Sequence, residues 1–256
     1  MTTVGIVGLG KMGQAIASML GNREDLKSHS FHRISPENTG ILKSCDVVIE
    51  FTIAEAAPGV IRQCLDLGIP VVSGTTGWHE YNLESILSYC KQKQGTLLYA
   101  TNFSVGMNIV FALNRKLAEV MSDLPAFKPS IQEIHHVHKK DSPSGTAYTL
   151  IEDILTRHPH YTGFAHNPGG ENFQDDKIPV TSIREGEVKG FHQVAWSSGA
   201  EQVTIAHEAF DRTIFAEGAV MAALWLSRQP RGIYTMKDIL NIRNKRGLPN
   251  GRPCLF

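Results

Sequence analysis

The stretch EIHHVHKKDSPSGTA, Glu133 to Ala147, sets three histidines and two lysines within six residues and follows them with a Ser-Pro-Ser-Gly turn. Imidazole and ammonium groups at that density can ligate a metal, hold an anion or move a proton. A zinc site draws on Cys, Asp or Glu beside His at short, familiar spacings. No such spacing accompanies these histidines, so the expectation is no metal. A nucleic-acid patch would come with an excess of basic charge. Lys+Arg and Asp+Glu balance at 25 each, which argues against nucleic acid and against an anionic membrane surface. On a strand, side chains alternate, so His135, Val137 and Lys139 share one face and His136 and His138 the other. The plain alternative is a strand with one solvated face.

The residues just after the cations favour an anionic small molecule. Asp141 or Ser142 can cap a helix that Pro143 begins, because Pro suits the first helical turn. Ser144, Gly145 and Thr146 then stand at a helix N-terminus, where N–H groups and hydroxyls favour a carboxylate or phosphate. The histidines and lysines just upstream supply groups that can bind a carboxylate or donate a proton. The stretch suits a ligand that carries carboxylates and must be protonated.

Such a cluster needs a scaffold, and the first hundred residues repeat one unit. Val4–Val7 is a β-branched run, then come Gly8-Leu9-Gly10-Lys11-Met12-Gly13 and the helical pattern Gln14–Leu20. Strand, GxGxxG and helix in that order make a dinucleotide site: the first glycine for the turn, the second for close approach of a pyrophosphate, the third for helix–strand packing. Asp46–Phe51, Pro70–Ser73 and Thr96–Ala100 read as further strands, with helices at Ala54–Leu67 and Glu84–Lys93 between them. This alternation predicts a doubly wound parallel sheet whose loops gather along one crevice. Four of those loops, GLGKMG, FT, GTTG and NFS, are rich in glycine, hydroxyls or amides. Gly74, Thr75 and Thr76 and then Ala100, Thr101, Asn102 and Phe103 join the glycine loop as the expected cofactor wall.

The second strand is expected near His29–Ile34 and ends without the acid that usually bonds the ribose 2′-hydroxyl of NAD. Arg33 stands there instead and can grip a 2′-phosphate by a charge-assisted fork, so NADPH is favoured over NADH. Ser104 can cap a long helix with Val110, Leu113, Leu117, Val120 and Leu124 along one face. Beyond it, Ile131–Lys140, Ile178–Arg184, Val188–Trp196 and Gln202–Ala206 read as strands, and Gly163–Asp176 as a surface loop. Ala216–Trp225 returns to a helical pattern, with Tyr234–Ile242 a possible second helix. The expected organisation is a Rossmann-like α/β unit over residues 1–104 and 216–256, and an α+β unit with a mixed or antiparallel sheet over 105–215. Hinges are expected near Ser104–Gly106 and Phe215–Gly218. Cys45, Cys64, Cys90 and Cys254 show no motif spacing, and MTTVGIVGLGKMG lacks a charged leader, so reduced thiols and a cytoplasmic setting are expected.

The quoted signature resembles that of the 4-hydroxy-tetrahydrodipicolinate reductase family, the dihydrodipicolinate reductases of the diaminopimelate–lysine pathway. VGIVGLGKMG, SGTTG, ATNFSVGMN and AEGAVMAALWL are similar to its other landmarks, in the same order, across essentially the whole chain. The resemblance implies hydride transfer from a nicotinamide to an unsaturated six-membered ring bearing two carboxylates. It implies His135 as the acid/base residue and Lys139 as a proton donor, with His136, Ser144, Gly145 and Thr146 on the substrate. A straight strand would hold those two donors about 13 Å apart, too far for both to touch one small ring, so the segment is expected to turn between them, or Lys139 to reach in with its long stem. A homotetramer built through the second sheet is also implied. The glycine loop is one residue shorter than in many members, and His32 precedes Arg33 where an acid is common. Two other readings stay open: another amino-acid-pathway dehydrogenase, which leaves HHVHKKDSPSGTA unexplained, and a non-catalytic nucleotide sensor.

Overall fold

A computed structural model of the chain describes residues 1–167 and 174–241. Cys254 and residues 168–173 of the expected Gly163–Asp176 loop lie outside that range. The first unit runs β1 (Thr2–Val7), α1 (Lys11–Gly21), β2 (Leu26–Phe31), α2 (Thr39–Leu42), β3 (Val47–Glu50), α3 (Ala57–Asp66), β4 (Val71–Ser73), α4 (His79–Gln92) and β5 (Thr96–Tyr99). The second runs α5 (Val105–Met121), β6 (Lys128–His135), α6 (Gly145–Leu155), β7 (Gly163–His166), β8 (Lys177–Arg184), β9 (Phe191–Ser197) and β10 (Gln202–Glu208). The chain then returns through α7 (Thr213–Leu226), β11 (Gly232–Tyr234) and α8 (Met236–Ile239).

Six strands pair in the order β11-β5-β4-β3-β1-β2, every neighbour parallel. The VVIE of β3 and VVS of β4 are buried throughout, as strands covered on both faces must be. Alternate side chains feed two cores. Ile6, Val47 and Ile49 pack with Ile16 and Leu20 of α1 and the small-residue face of α7. Val7, Val48 and Val71 pack with α3 and α4 on the other side. This is the Rossmann-like parallel sheet that the alternation predicts.

The second sheet is mixed, in the order β10-β9-β6-β8-β7. β6 is antiparallel to β9 and parallel to β8. Helices α5 and α6 cover one face through Met107, Phe111, Leu150 and Ile154 against Ile131, Val180, Val194 and Trp196. The α+β reading holds, with several corrections of detail. The strand expected over Ile131–Lys140 stops at His135, and the chain turns, with the Lys139 N–H donating to the His136 carbonyl at 3.1 Å. Residues 163–166 are not loop but edge strand β7, parallel to β8. The buried face of α5 is Met107, Val110, Phe111, Asn114, Arg115, Ala118 and Met121, whereas Leu113, Val120 and Leu124 of the expected stripe are exposed. The helix carries apolar residues on two faces, and periodicity alone could not say which one meets the sheet.

Candidate active site

The glycine loop acts through three different constraints. Gly8 has φ +94°, and a Cβ there would stand 2.2 Å from the Phe51 carbonyl oxygen. A Cβ on Gly13 would lie 1.9 Å from the Gly8 carbonyl oxygen, so α1 can sit against the turn only without a side chain. Gly10 meets nothing within 4 Å. Gly10 is the N-cap of α1, no side chain caps that terminus, and no acid occupies the first turn. The N–H groups of Lys11, Met12 and Gly13 are thus left for a pyrophosphate, with room above Gly10 for it to approach. These residues fit a dinucleotide.

A buried carboxylate that carries no motif in the sequence knits the other loops together. Glu50, at the end of β3, is fully buried. It accepts from the Thr52 N–H and Oγ1, Ser73 Oγ and Thr75 Oγ1 at 2.7, 2.6, 2.6 and 2.5 Å. Four donors satisfy the buried carboxyl group, which makes no ion pair among the described residues. The Thr75 hydroxyl is therefore spent within the protein, while Thr76 is exposed at the loop tip. Gly74 is pressed against the Phe51 ring, 2.1 Å from where its Cβ would be. Arg33 lies just beyond β2, not at the end of the expected strand; that strand ends at Phe31, whose carbonyl accepts from Gly8 N–H. The Arg33 carbonyl accepts from Asn38 Nδ2 at 2.8 Å, and its guanidinium makes no ion pair among the described residues. Ala100, half-buried, leads into Thr101, Asn102 and Phe103.

The two units meet over a cavity of about 230 Å³. Met12, Gly74, Thr101, Asn102 and Phe103 line it from the cofactor side, and His135, His136, Lys139 and Thr146 from the other. The turn after β6 is what lets His135 and Lys139 share one cavity. Asn102 Nδ2 donates to Thr146 Oγ1 at 3.2 Å, tying the cofactor loop to the start of α6. Lys189, Gly190, His192 and His207 also line the cavity, and sequence reasoning misses them. His192 and His207 lie in strands whose polar residues alternate with apolar ones, and Lys189 carries no motif at all.

Helix α6 begins two residues later than expected. Ser144, not Asp141 or Ser142, is the N-cap, its Oγ accepting from the Ala147 N–H at 3.2 Å, while Pro143 stands before the helix after a cis Ser142–Pro143 bond. The same Oγ lies 3.3 Å from His192 Nε2, so the Ser144 hydroxyl is committed to the fold and does not line the cavity. Gly145 has open space where a Cβ would be, which leaves its N–H reachable. Lys139 Nζ donates to both oxygens of Asp141 at 2.7 and 2.8 Å.

Beneath the cavity lies Glu133, on the same face of β6 as His135. Its carboxylate accepts from the Ser144 N–H at 3.1 and 3.2 Å and from Arg184 Nη2 at 3.1 Å. His135 Nδ1 is 3.5 Å and His192 Nε2 3.8 Å from Oε2. Three ligand-type atoms of these residues lie within 4.8 Å of one another. The tertiary structure thus brings His192 to a carboxylate and histidine that stand two apart on β6. Ser144 and Arg184 already occupy the carboxylate, so the cluster reads as a hydrogen-bonded ion-pair network.

Burial pushes His79 and His135 down to about 4 and His192 down to about 3, from an ordinary 6.5. Glu133 opposes the shift at His135 and His192, while nearby Lys139 adds to it. The folded chain keeps these imidazoles neutral where the unfolded chain protonates them, so the unfolded state binds more protons below pH 6.5. Stability contributed by the neutral rings is whole above that pH and is lost as pH falls towards the folded values. The expected result is a Tm that is flat above neutrality and drops between pH 6.5 and about 5, before most carboxylates titrate. In His192→Asn the drop should be shallower; an unchanged slope would contradict a buried neutral imidazole there.

Comparison with known proteins places this arrangement. The family description for the dihydrodipicolinate reductase N-terminus matches residues 2–103, and that for its C-terminus matches residues 106–240. A 4-hydroxy-tetrahydrodipicolinate reductase from Christiangramia forsetii is 38% identical over 247 residues, covering 93% of this chain and 97% of the relative. One from Methanospirillum hungatei is 34% identical over 247 residues, 91% and 96%. Among solved structures, a dipicolinate-bound dihydrodipicolinate reductase from Paenisporosarcina superposes with a TM-score of 0.69 at 22% identity, covering 92% of this chain and 97% of that one.

Proposed function

This chain belongs to the dihydrodipicolinate reductase family of NAD(P)H-dependent oxidoreductases, and from that premise we propose that it reduces 4-hydroxy-tetrahydrodipicolinate to tetrahydrodipicolinate in the diaminopimelate–lysine pathway. The observation that carries the reading is the single cavity in which the cofactor loops face His135, His136, Lys139 and Thr146. A bound nicotinamide supplies hydride; the ring gains a proton and loses its hydroxyl as water. NADPH is the favoured donor, with NADH usable.

The chain's own residues would divide the work among them. The N–H groups of Gly145 and Thr146, at the start of α6, hold one carboxylate, with His136 beside them. Lys189, whose ammonium is 3.9 Å from Glu187 and free to move towards the cavity, attracts the second. Lys139 donates the proton, and Asp141 holds its ammonium at the cavity wall. His135 is the acid/base group, buried and neutral at physiological pH. Ser144 serves the substrate through the turn it caps. Closure of the two units about residues 104–106 and 215–218 would bring the nicotinamide carbon and the ring within roughly 3–3.5 Å.

The division into a nucleotide unit over 1–104 and 216–256 and a substrate unit over 105–215 is part of this reading. So is assembly as a homotetramer. Val105, Ile109, Leu113 and Val120 leave an apolar stripe exposed along α5, continued by Leu124 just beyond it, and β10 is an open edge; both would be covered by another copy. No helix among the described residues is long and apolar enough to cross a membrane, and a cytoplasmic setting fits the proposed pathway.

The test is loss of nicotinamide absorbance when the ring substrate is generated in place from pyruvate and aspartate semialdehyde by its synthase. Oxidation that depends on the synthase supports the reaction; folded protein that oxidises neither cofactor would leave a nucleotide-binding scaffold. Arg33→Ala is expected to raise the KM for NADPH about tenfold, the value of a charge-assisted hydrogen bond, and to leave NADH within about twofold. Equal effects on both cofactors would remove Arg33 from the 2′-phosphate.

A further inference from the structure

We propose that Glu133 is a positioning residue that fixes the His135 tautomer and ties that histidine to the carboxylate-binding turn, an inference that builds on the reading of the reaction above. The backbone places it. Glu133 and His135 are two apart on β6, so both point to the helix-covered face, and at the end of the strand that face meets the start of α6. A carboxylate in that position is fully buried and must be satisfied by what the fold brings to it.

It is satisfied from three directions. Arg184 arrives from β8, whose register sets it opposite His135. The Ser144 N–H arrives from the turn before α6, straddling both carboxylate oxygens. On the remaining side stands His135, whose Nδ1 is buried, lies 3.5 Å from Oε2 and has no hydrogen-bond partner among the described residues. A carboxylate so placed selects the proton on Nδ1 and leaves the Nε2 lone pair free. Nε2 is the nitrogen beside Gly190, where a side chain's Cβ would stand only 3.4 Å away, and Gly190 itself lines the cavity. The glycine keeps that nitrogen uncovered.

One carboxylate therefore sets two distances at once. It holds the ring that exchanges a proton and the N–H that starts the turn carrying Gly145 and Thr146. His192 sees the same carboxylate at 3.8 Å and the Ser144 Oγ at 3.3 Å, which closes the network from β9. Because the network draws on β6, β8, β9 and the turn before α6, no local feature could hold its members in register.

The experiment is ¹⁵N NMR of the histidine rings of the full-length protein, with steady-state kinetics of Glu133→Gln. In the wild type the His135 ring is expected as the Nδ1–H tautomer; an Nε2–H tautomer overturns the proposal with no variant needed. The amide of Glu133→Gln can still accept from Ser144 and Arg184, yet turns an NH₂ towards His135 and so favours the opposite tautomer. The expected outcome is a tautomer change with kcat lowered about 100-fold, and KM and dinucleotide affinity little altered. A purely structural role would instead lower Tm and raise KM while leaving the tautomer as it was, and that result would overturn the proposal. Should the wild type oxidise neither cofactor, the reaction assignment fails, and the wild-type tautomer still decides the role of Glu133.

Discussion

Lys139→Met should lower kcat by about 10²- to 10⁴-fold, the usual worth of a positioned general acid. With His135 pushed down to about 4 by burial, its ring carries no surplus proton at neutral pH. The ammonium of Lys139 stands on the same cavity wall as His135 and can donate one. Asp141 fixes its position with two hydrogen bonds from Nζ. Methionine keeps most of the stem and removes the charge, so packing is preserved while the proton source is lost. A part of the loss should appear in KM, because the ammonium also attracts a carboxylate. Turnover within about threefold of the wild type would remove Lys139 from the chemistry, and would shift the proton to water or to His135.

The second large effect is structural. Gly13→Ala should cost about 3 kcal/mol, because a Cβ placed 1.9 Å from the Gly8 carbonyl oxygen forces α1 away from the turn. For a chain of this size that corresponds to a fall of roughly 8 °C in Tm. Dinucleotide affinity should fall with it, since the displaced helix carries the N–H groups meant for the pyrophosphate. Gly10→Ala is the control. Its Cβ meets no protein atom within 4 Å, so Tm should stay near the wild type while dinucleotide binding weakens. If the two variants melt alike, the division of labour within the glycine loop is wrong.

Much of this protein can be read along the chain because much of its logic is local. The glycine loop and the buried β-branched strands each depend on residues within a few positions of one another. Backbone sterics and strand or helix periodicity therefore reveal the parallel sheet, the cofactor loops and the cation-rich stretch. Once the family resemblance had named His135 and Lys139, the turn between them was also accessible, because a straight strand could not deliver both to one ring. The family resemblance added roles that spacing does not contain.

Other features depended on the assembled fold. Which face of α5 meets the sheet was undecidable from a helix apolar on two sides, and α6 starts at Gly145, after an N-cap Ser144 whose N–H and Oγ meet Glu133 and His192. A Gly218 Cβ would stand 1.9 Å from the Phe103 carbonyl oxygen, a contact across more than a hundred residues that no local pattern announces. Glu50 gathers Thr52, Ser73 and Thr75, and Glu133 gathers Ser144, Arg184, His135 and His192. A buried charge must be met by whatever donors topology delivers, so its partners come from several strands and loops. The sequence by itself determined the cofactor turn, the sheet and the chemistry-bearing stretch through local sterics and periodicity. The tertiary structure alone decided how those parts are held to one another, because satisfying a buried carboxylate is a non-local requirement.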